Sequence, residues 1–137
     1  MSRTERFIID TNMLLSSLFV KDSTTFKALE KARSKGILLF SEATFLEFEL
    51  VLLRKKFDRY FSKEERLQII EKIHNEAVFI PVTSNLQISR DSKDNKFLNL
   101  ATDANASCIV TGDKDLLILH PFGNISILSP ADFLNTF

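Results

Sequence analysis

The chain has 137 residues, of which 45% are hydrophobic and 26% charged, a balance typical of one globular domain. Eighteen lysines and arginines offset eighteen aspartates and glutamates, so the strongly basic character of many nucleic-acid-binding proteins is absent. Because the single cysteine has no disulfide partner, and no apolar run suits a membrane span or a signal peptide, we expect a cytoplasmic protein.

Short apolar runs alternate with amphipathic segments along the chain, which predicts alternating strands and helices. In chain order we predict strand 7–9, helix 23–34, strand 37–40, helix 42–56, helix 62–74, strand 77–80, helix 93–105, strand 108–110, helix 113–119 and strand 125–127. Asp10, Thr11 and Asn12 predict a loop after the first strand. Gly36 is expected to end the first helix and Ser41 to cap the second.

This alternation predicts an α/β fold with right-handed crossovers and a parallel sheet covered by helices on both faces. We therefore expect a single domain over residues 1–137, with three layers in the order α/β/α and about five strands. Ligands of such sheets bind outside the carboxyl ends of the strands.

Aspartates follow two of the predicted strands at this edge. Asp10 comes directly after strand 7–9, and Asp113 lies three residues beyond strand 108–110. If the two strands are neighbours, the carboxylates converge, and their repulsion favours a bound cation. Oxygen ligands select Mg²⁺ or Mn²⁺ rather than zinc. Taken singly, Asp10 is also typical of a turn residue, and Asp94 and Asp113 are typical of the first turn of a helix, where the helix dipole favours an acid.

Other chemically versatile side chains give weaker signals. Glu47 and Glu49 both lie among apolar residues of helix 42–56, and periodicity does not decide which one enters the cleft. His74 and His120 have no histidine or cysteine at metal-ligand spacing, so we expect structural roles. Cys108 lies within an apolar strand, which favours packing over nucleophilic chemistry.

Several motifs occur in an informative order. They are Ile8-Ile9-Asp10-Thr11-Asn12, Glu47, Arg90-Asp91-Ser92-Lys93-Asp94-Asn95, Val110-Thr111-Gly112-Asp113-Lys114-Asp115-Leu116-Leu117, and Ile127-Leu128-Ser129-Pro130-Ala131-Asp132-Phe133-Leu134. With them the chain resembles the PIN-domain nucleases over nearly its whole length. Within that family it is similar to the small single-domain toxins of bacterial and archaeal toxin–antitoxin pairs.

The resemblance implies a metal-dependent endoribonuclease that hydrolyses RNA phosphodiesters with Mg²⁺ or Mn²⁺. It implies an acidic metal-binding and catalytic quartet and selects Glu47 over Glu49. The quartet consists of Asp10, Glu47, Asp94 and Asp113. Asp115 matches a further acid that contributes to the metal through water, and three polar residues match positions that order the loop or that water. These polar residues are Thr11, Asn12 and Thr111.

The resemblance also implies an RNA substrate and a cognate antitoxin, and two surfaces are candidates for partners. One is a basic cluster, which either holds RNA phosphates or is a solvated surface. Its members are Arg54, Lys55, Lys56, Arg59, Lys63 and Arg66. The other is an apolar set that serves either a homodimer or antitoxin groove or the core. Its members are Leu14, Leu15, Leu18 and Phe19.

Two alternative functions remain open at this point. The first is a non-catalytic PIN-like module that binds RNA or forms complexes. The second is another α/β enzyme that uses Asp10, such as a phosphatase or a phosphate-accepting receiver domain. The phosphatase pattern requires an acid where Asn12 stands, and the receiver pattern requires paired acids before the aspartate that ends the first strand.

Overall fold

The structure, a computed structural model, describes residues 4–137 and contains one sheet of five parallel strands. The strands are Glu5–Ile9 (β1), Gly36–Phe40 (β2), Val78–Phe79 (β3), Cys108–Val110 (β4) and Ser126–Leu128 (β5). Their order across the sheet is β3-β2-β1-β4-β5, and each neighbouring pair is parallel. The predicted parallel α/β sheet is confirmed, with β1 and β4 adjacent at its centre.

Helices cover both faces of the sheet. The α-helices are Thr11–Phe19 (α1), Thr24–Lys35 (α2), Glu42–Leu52 (α3), Lys63–Glu76 (α4), Asn95–Ala104 (α5), Lys114–Leu117 (α6) and Pro130–Thr136 (α7). Short 3₁₀ helices lie at Lys55–Phe57 and Ser92–Asp94. Within residues 4–137, no helix has the length and apolar character needed to cross a membrane.

The core is divided into two clusters by the sheet, because successive strand residues point to opposite faces. Phe7 and Ile9 of β1 pack with α1, α2, α3, α4 and α7, whereas Ile8 packs with α5 and α6. Ile109 of β4 belongs to the same cluster as Ile8. This arrangement produces the three layers predicted from the sequence.

Serine N-caps start several helices where the sequence indicates. The Ser41 hydroxyl accepts the backbone N–H of Thr44 at 3.1 Å, and the Thr44 hydroxyl accepts the backbone N–H of Ser41 at 2.9 Å. Gly36 ends α2 as predicted and also begins β2. A Cβ atom at Gly36 would lie 2.0 Å from the carbonyl oxygen of Glu5, so the pairing of β1 with β2 requires a residue without a side chain there.

Three segments differ from the sequence prediction. Residues 11–19 form α1 rather than a loop, because the Asp10 carboxylate caps a helix. As a consequence Leu14 and Leu15 are fully buried, and Leu18 and Phe19 pack against the core, which favours the core role for this apolar set. Helix α3 ends at Leu52 instead of continuing to residue 56, and the C-terminal helix α7 was not predicted.

Residues 81–91, which connect β3 to the second 3₁₀ helix, have little regular structure. Three polar side chains of α5, spaced four residues apart, hold this segment. Asn99 accepts the backbone N–H of residue 86, Asn95 accepts those of residues 88 and 89, and Asp103 accepts those of residues 83 and 84. This spacing places the three acceptors on one helix face, so α5 fixes the path that leads to Asp91 and Asp94.

Candidate metal centre

Asp10 lies at the carboxyl end of β1 and is 7% exposed. Its Oδ1 accepts the backbone N–H of Met13 at 2.8 Å, and its Oδ2 accepts the hydroxyl of Thr111. Burial raises the pKa of Asp10, and the charges of Asp113 and Glu47 raise it further, whereas the two hydrogen bonds oppose the shift. The Asp10 carboxylate is therefore held rigidly in a site that disfavours negative charge.

Thr111 connects the acids that follow β1 and β4. Its side chain is fully buried, its hydroxyl donates to Asp10, and its Oγ1 accepts the backbone N–H of Asp113 at 2.9 Å. Asp113 in turn caps α6 by accepting the N–H of Asp115 at 2.8 Å. One buried threonine thus fixes the relative positions of two carboxylates that lie 103 residues apart in sequence.

Asp113 also belongs to a cluster of three carboxylates. Oxygen atoms of Asp91, Asp94 and Asp113 all lie within 4.8 Å of one another. The pKa of Asp94 is raised to about 7, first by burial, then by the hydrogen bond and charge of Asp113, and then by the charges of Asp91 and Asp10. The protein therefore concentrates negative charge at this edge of the sheet.

The cluster fits a divalent cation on structural grounds. Oδ2 of Asp94 is buried and has no hydrogen-bond partner within residues 4–137. A buried carboxylate oxygen without a donor is costly, and a cation would supply the missing interaction. The neighbouring donors are all carboxylate oxygens, which suit Mg²⁺ or Mn²⁺. Asp91 belongs to this cluster, although the sequence did not identify it as a metal ligand.

Two of the predicted acids form ion pairs with basic side chains of the protein. Glu47 of α3 pairs with Lys96 of α5, and Asp115 accepts both Nε and Nη2 of Arg90, at 3.0 and 2.7 Å. Glu47 is close enough to raise the pKa of Asp10, but Asp10, Glu47 and Asp115 all lie outside the three-carboxylate cluster. Sequence reasoning missed both pairings, because their partners are 49 and 25 residues away.

The predicted polar residues differ in whether they contact the acids. Thr111 contacts the acids directly, whereas Thr11 is buried at the start of α1 and Asn12 is exposed, and neither side chain bonds to an acid within residues 4–137. Glu49 lies in a groove with Leu67, away from Glu47.

The histidines and the cysteine have the packing roles expected of them. His120 accepts the backbone N–H of Ile127 at 2.9 Å through Nδ1. His74 packs against the rings of Phe45 and Phe79. Cys108 is fully buried, and burial raises the pKa of its thiol to about 12, so the thiolate is not accessible near neutral pH.

Substituting Thr111 by valine tests whether this residue positions the site. Valine keeps the shape but removes the donor to Asp10 and the acceptor for Asp113, so we expect a loss of roughly 1–3 kcal/mol in unfolding free energy. We also expect roughly 10- to 100-fold weaker Mn²⁺ binding, measured by titration. Thr111→Ser, which keeps the hydroxyl, should recover most of the Mn²⁺ affinity. Unchanged Mn²⁺ affinity in the valine variant would contradict this role.

Comparisons with known proteins identify the family of this chain. The model of the PIN domain family matches residues 6–115, a stretch that includes every acid of the site. The chain belongs to the PIN-domain family. This PIN domain is 29% identical to the uncharacterized protein MJ1680 of Methanocaldococcus jannaschii, in an alignment covering 96% of the chain and 91% of that protein.

Two solved structures share the fold of this PIN domain at 13% sequence identity. One is VapBC2 from Rickettsia felis, crystallised with a DNA fragment from its promoter; the match covers 89% of this chain and 96% of that chain, with a TM-score of 0.60. The other is PAE2754 from Pyrobaculum aerophilum, with coverage of 96% and 88% and a TM-score of 0.61. At this identity the likeness concerns the fold alone.

Proposed function

We propose that this PIN domain is a Mg²⁺- or Mn²⁺-dependent endoribonuclease that acts in the cytoplasm. The observation that carries the proposal is the buried, unpartnered Oδ2 of Asp94 within a group of converging carboxylates. Like charges at this density are tolerated where a cation offsets them, and nucleases that cleave phosphodiesters with divalent ions need such a group. Family membership supports the same reaction class.

In this proposal Asp94 and Asp113 hold the cation together with their cluster neighbour Asp91. Asp10 and Glu47 complete the catalytic quartet. A bound Mg²⁺ or Mn²⁺ would supply Lewis acidity, which activates water for attack on phosphorus and offsets charge on the phosphodiester. Asp10 is kept in place by Met13 and Thr111, and Lys96 keeps Glu47 at the rim of the cleft. Because the acids repel phosphate, cation binding would also control access of RNA to the cleft.

The experiment is cleavage of a pool of single-stranded and structured RNAs with Mg²⁺ or Mn²⁺ and with EDTA. Wild type should cleave only with metal, and Asp10→Asn and Asp94→Asn, purified in parallel, should be inactive. A matched DNA pool decides whether RNA is preferred. Equal cleavage in all lanes would indicate contamination, and no cleavage despite Mn²⁺ binding would favour a non-catalytic RNA-binding module.

We further propose that the nuclease is the toxin of a toxin–antitoxin pair. Its small size and its match to toxin motifs, including residues 127–134, support this role. An apolar groove between α3 and α4 contains exposed Leu46 and Leu67, rimmed by Glu42, Glu49 and Glu71, so it suits an antitoxin segment with leucines and basic residues. The test is co-purification of this protein with the protein encoded by the adjacent reading frame. We expect the wild type to co-purify with it and Leu46→Glu not to. If Leu46→Glu instead converts a dimer of this protein to a monomer, the groove is a homodimer contact.

A further inference from the structure

The connection between α3 and α4, residues 53–62, carries a concentration of exposed positive charge. Its cations are Arg54, Lys55, Lys56 and Arg59. None of the four forms an ion pair within residues 4–137. The single acid of this connection, Asp58, is bound at 2.7 Å by the buried Arg66 of α4. The segment therefore presents four uncompensated charges on a protein whose net charge is zero.

Arg66 fixes the shape of this connection from inside. It is 4% exposed, and its Nη1 donates to the carbonyl oxygens of Leu52 and Arg54 at 3.2 and 3.3 Å. Arg66 is therefore a structural residue, in contrast to its predicted place among the phosphate-binding candidates. Ser62 and Glu65 form the capping box of α4, so Glu65 is also engaged within the fold. The exposed cations therefore lie on a connection whose backbone is held by hydrogen bonds.

Aromatic rings lie beside the cations. Phe19, at the end of α1, stacks on Phe57 and Phe61 with ring centroids 4.9 and 5.4 Å apart. The ring of Tyr60 lies 5.3 Å from Phe19 and is 58% exposed, next to Lys21 in a cleft of about 440 Å³. Three rings form a packed base, and the fourth, that of Tyr60, is open to solvent.

We propose that this connection binds single-stranded RNA, with a base stacked on Tyr60 and phosphates held by Lys55, Lys56 and Arg59. Basic side chains around an open aromatic ring are the combination that binds single strands without strong sequence preference. An acidic protein segment would use the cations but would gain less from the open ring. This inference rests on the proposed function only in taking RNA as the substrate.

The position of the surface suits a substrate that continues into the acidic cleft. Helix α1 begins beside Asp10 and ends at Phe19, and at 1.5 Å per residue this separation is about 14 Å. Along α3, Glu47 and Leu52 are separated by about 8 Å on the same basis, and Arg54 follows two residues after the helix ends. A strand bound at Tyr60 can therefore reach the carboxylates within a few nucleotides.

The test uses Tyr60 itself as the probe, because the chain has one tyrosine and no tryptophan. Wild type in EDTA is titrated with an oligoadenylate of about 12 nucleotides, a length within the range of known single-strand sites. We expect saturable quenching of Tyr60 emission. Lys55→Ala/Lys56→Ala should weaken binding roughly tenfold at low salt and reduce the slope of log K against log salt by about 1.4.

Matched variants distinguish base stacking on Tyr60 and the charge of this connection from the net charge of the whole protein. Lys35→Ala/Lys72→Ala removes the same charge from two exposed lysines elsewhere and should bind like wild type. Followed by anisotropy of labelled oligoadenylate, Tyr60→Ala should lose roughly 5- to 150-fold in affinity, whereas Tyr60→Phe should lose little.

Three results would overturn the inference: no change in Tyr60 emission at saturating oligoadenylate, equal weakening by both lysine pairs, or equally tight binding of polyglutamate with the same quenching. The last result would identify an acidic protein segment as the occupant. Because binding is measured in EDTA, a failure of RNA cleavage leaves this inference intact, and a failure of binding here leaves the metal centre intact.

Discussion

Asp10→Asn is expected to lower metal-dependent RNA cleavage by roughly 10²- to 10³-fold while the protein stays folded. Asparagine retains one oxygen that can accept the backbone N–H of Met13, so the cap of α1 is preserved. Its amide nitrogen cannot accept the hydroxyl of Thr111, so that hydrogen bond is lost. The variant lacks the negative charge needed to hold a divalent cation. Initial rates of cleavage at saturating Mn²⁺ measure the effect, and circular dichroism verifies the fold.

A matched pair on α3 serves as the control for this prediction. Glu47→Gln should lose activity because Glu47 lies in the field of Asp10, whereas Glu49→Gln should keep it because Glu49 faces the groove beside Leu67. The result that contradicts the assignment is cleavage within threefold or so of wild type in Asp10→Asn, or equal losses in the two glutamine variants.

Asp94→Asn is expected to stabilise the protein in EDTA at neutral pH and above. The pKa of Asp94 is raised to about 7 from an ordinary value of 3.8, so between these values the folded state binds more protons than the unfolded state. Stability therefore falls as pH rises through this interval. Removing the charge of Asp94 should raise the free energy of unfolding by roughly 1–2 kcal/mol at pH 8 and by little at pH 5.

Thermal unfolding in EDTA between pH 5 and pH 8 measures this effect. The control is Asp132→Asn, since Asp132 lies in the first turn of α7, where the helix dipole favours its charge; this variant should lose stability slightly. With saturating Mn²⁺ the order should reverse, because wild type gains binding energy that Asp94→Asn lacks. A wild-type midpoint that rises from pH 5 to pH 8 in EDTA would refute this explanation.

Much of the fold was predictable because local signals agree with the tertiary structure. The strands are apolar runs, and Ser41 occupies a cap position that hydrogen bonds confirm. Helix α1 was missed because its N-cap, Asp10, was interpreted only as a turn residue or a metal ligand, and it serves as a cap at the end of a strand. The cap uses Oδ1 of Asp10, and Oδ2 accepts the hydroxyl of Thr111, which also holds Asp113.

The convergence of acids at this edge of the sheet was predictable, but the place of Asp91 in the cluster and the residues around the acids were not. The positions of Asp10 and Asp113 after strands indicate convergence, which the adjacency of β1 and β4 explains. The pairing of Glu47 with Lys96 depends on the packing of α3 near α5, and no local pattern encodes it. The inward orientation of Arg66 likewise depends on where α3 ends, so charge alone grouped it with exposed cations.

The most direct test of the metal centre is Mn²⁺ titration of the intact protein, followed by the paramagnetic resonance of the free ion. We expect saturable binding by wild type that releases protons near pH 7, because the cation displaces the proton favoured on Asp94. Asp94→Asn should not bind at the same concentrations, and Glu49→Gln should bind like wild type. Absence of saturable binding by wild type, or equal binding by Asp94→Asn, would contradict the assignment of these carboxylates as a metal site.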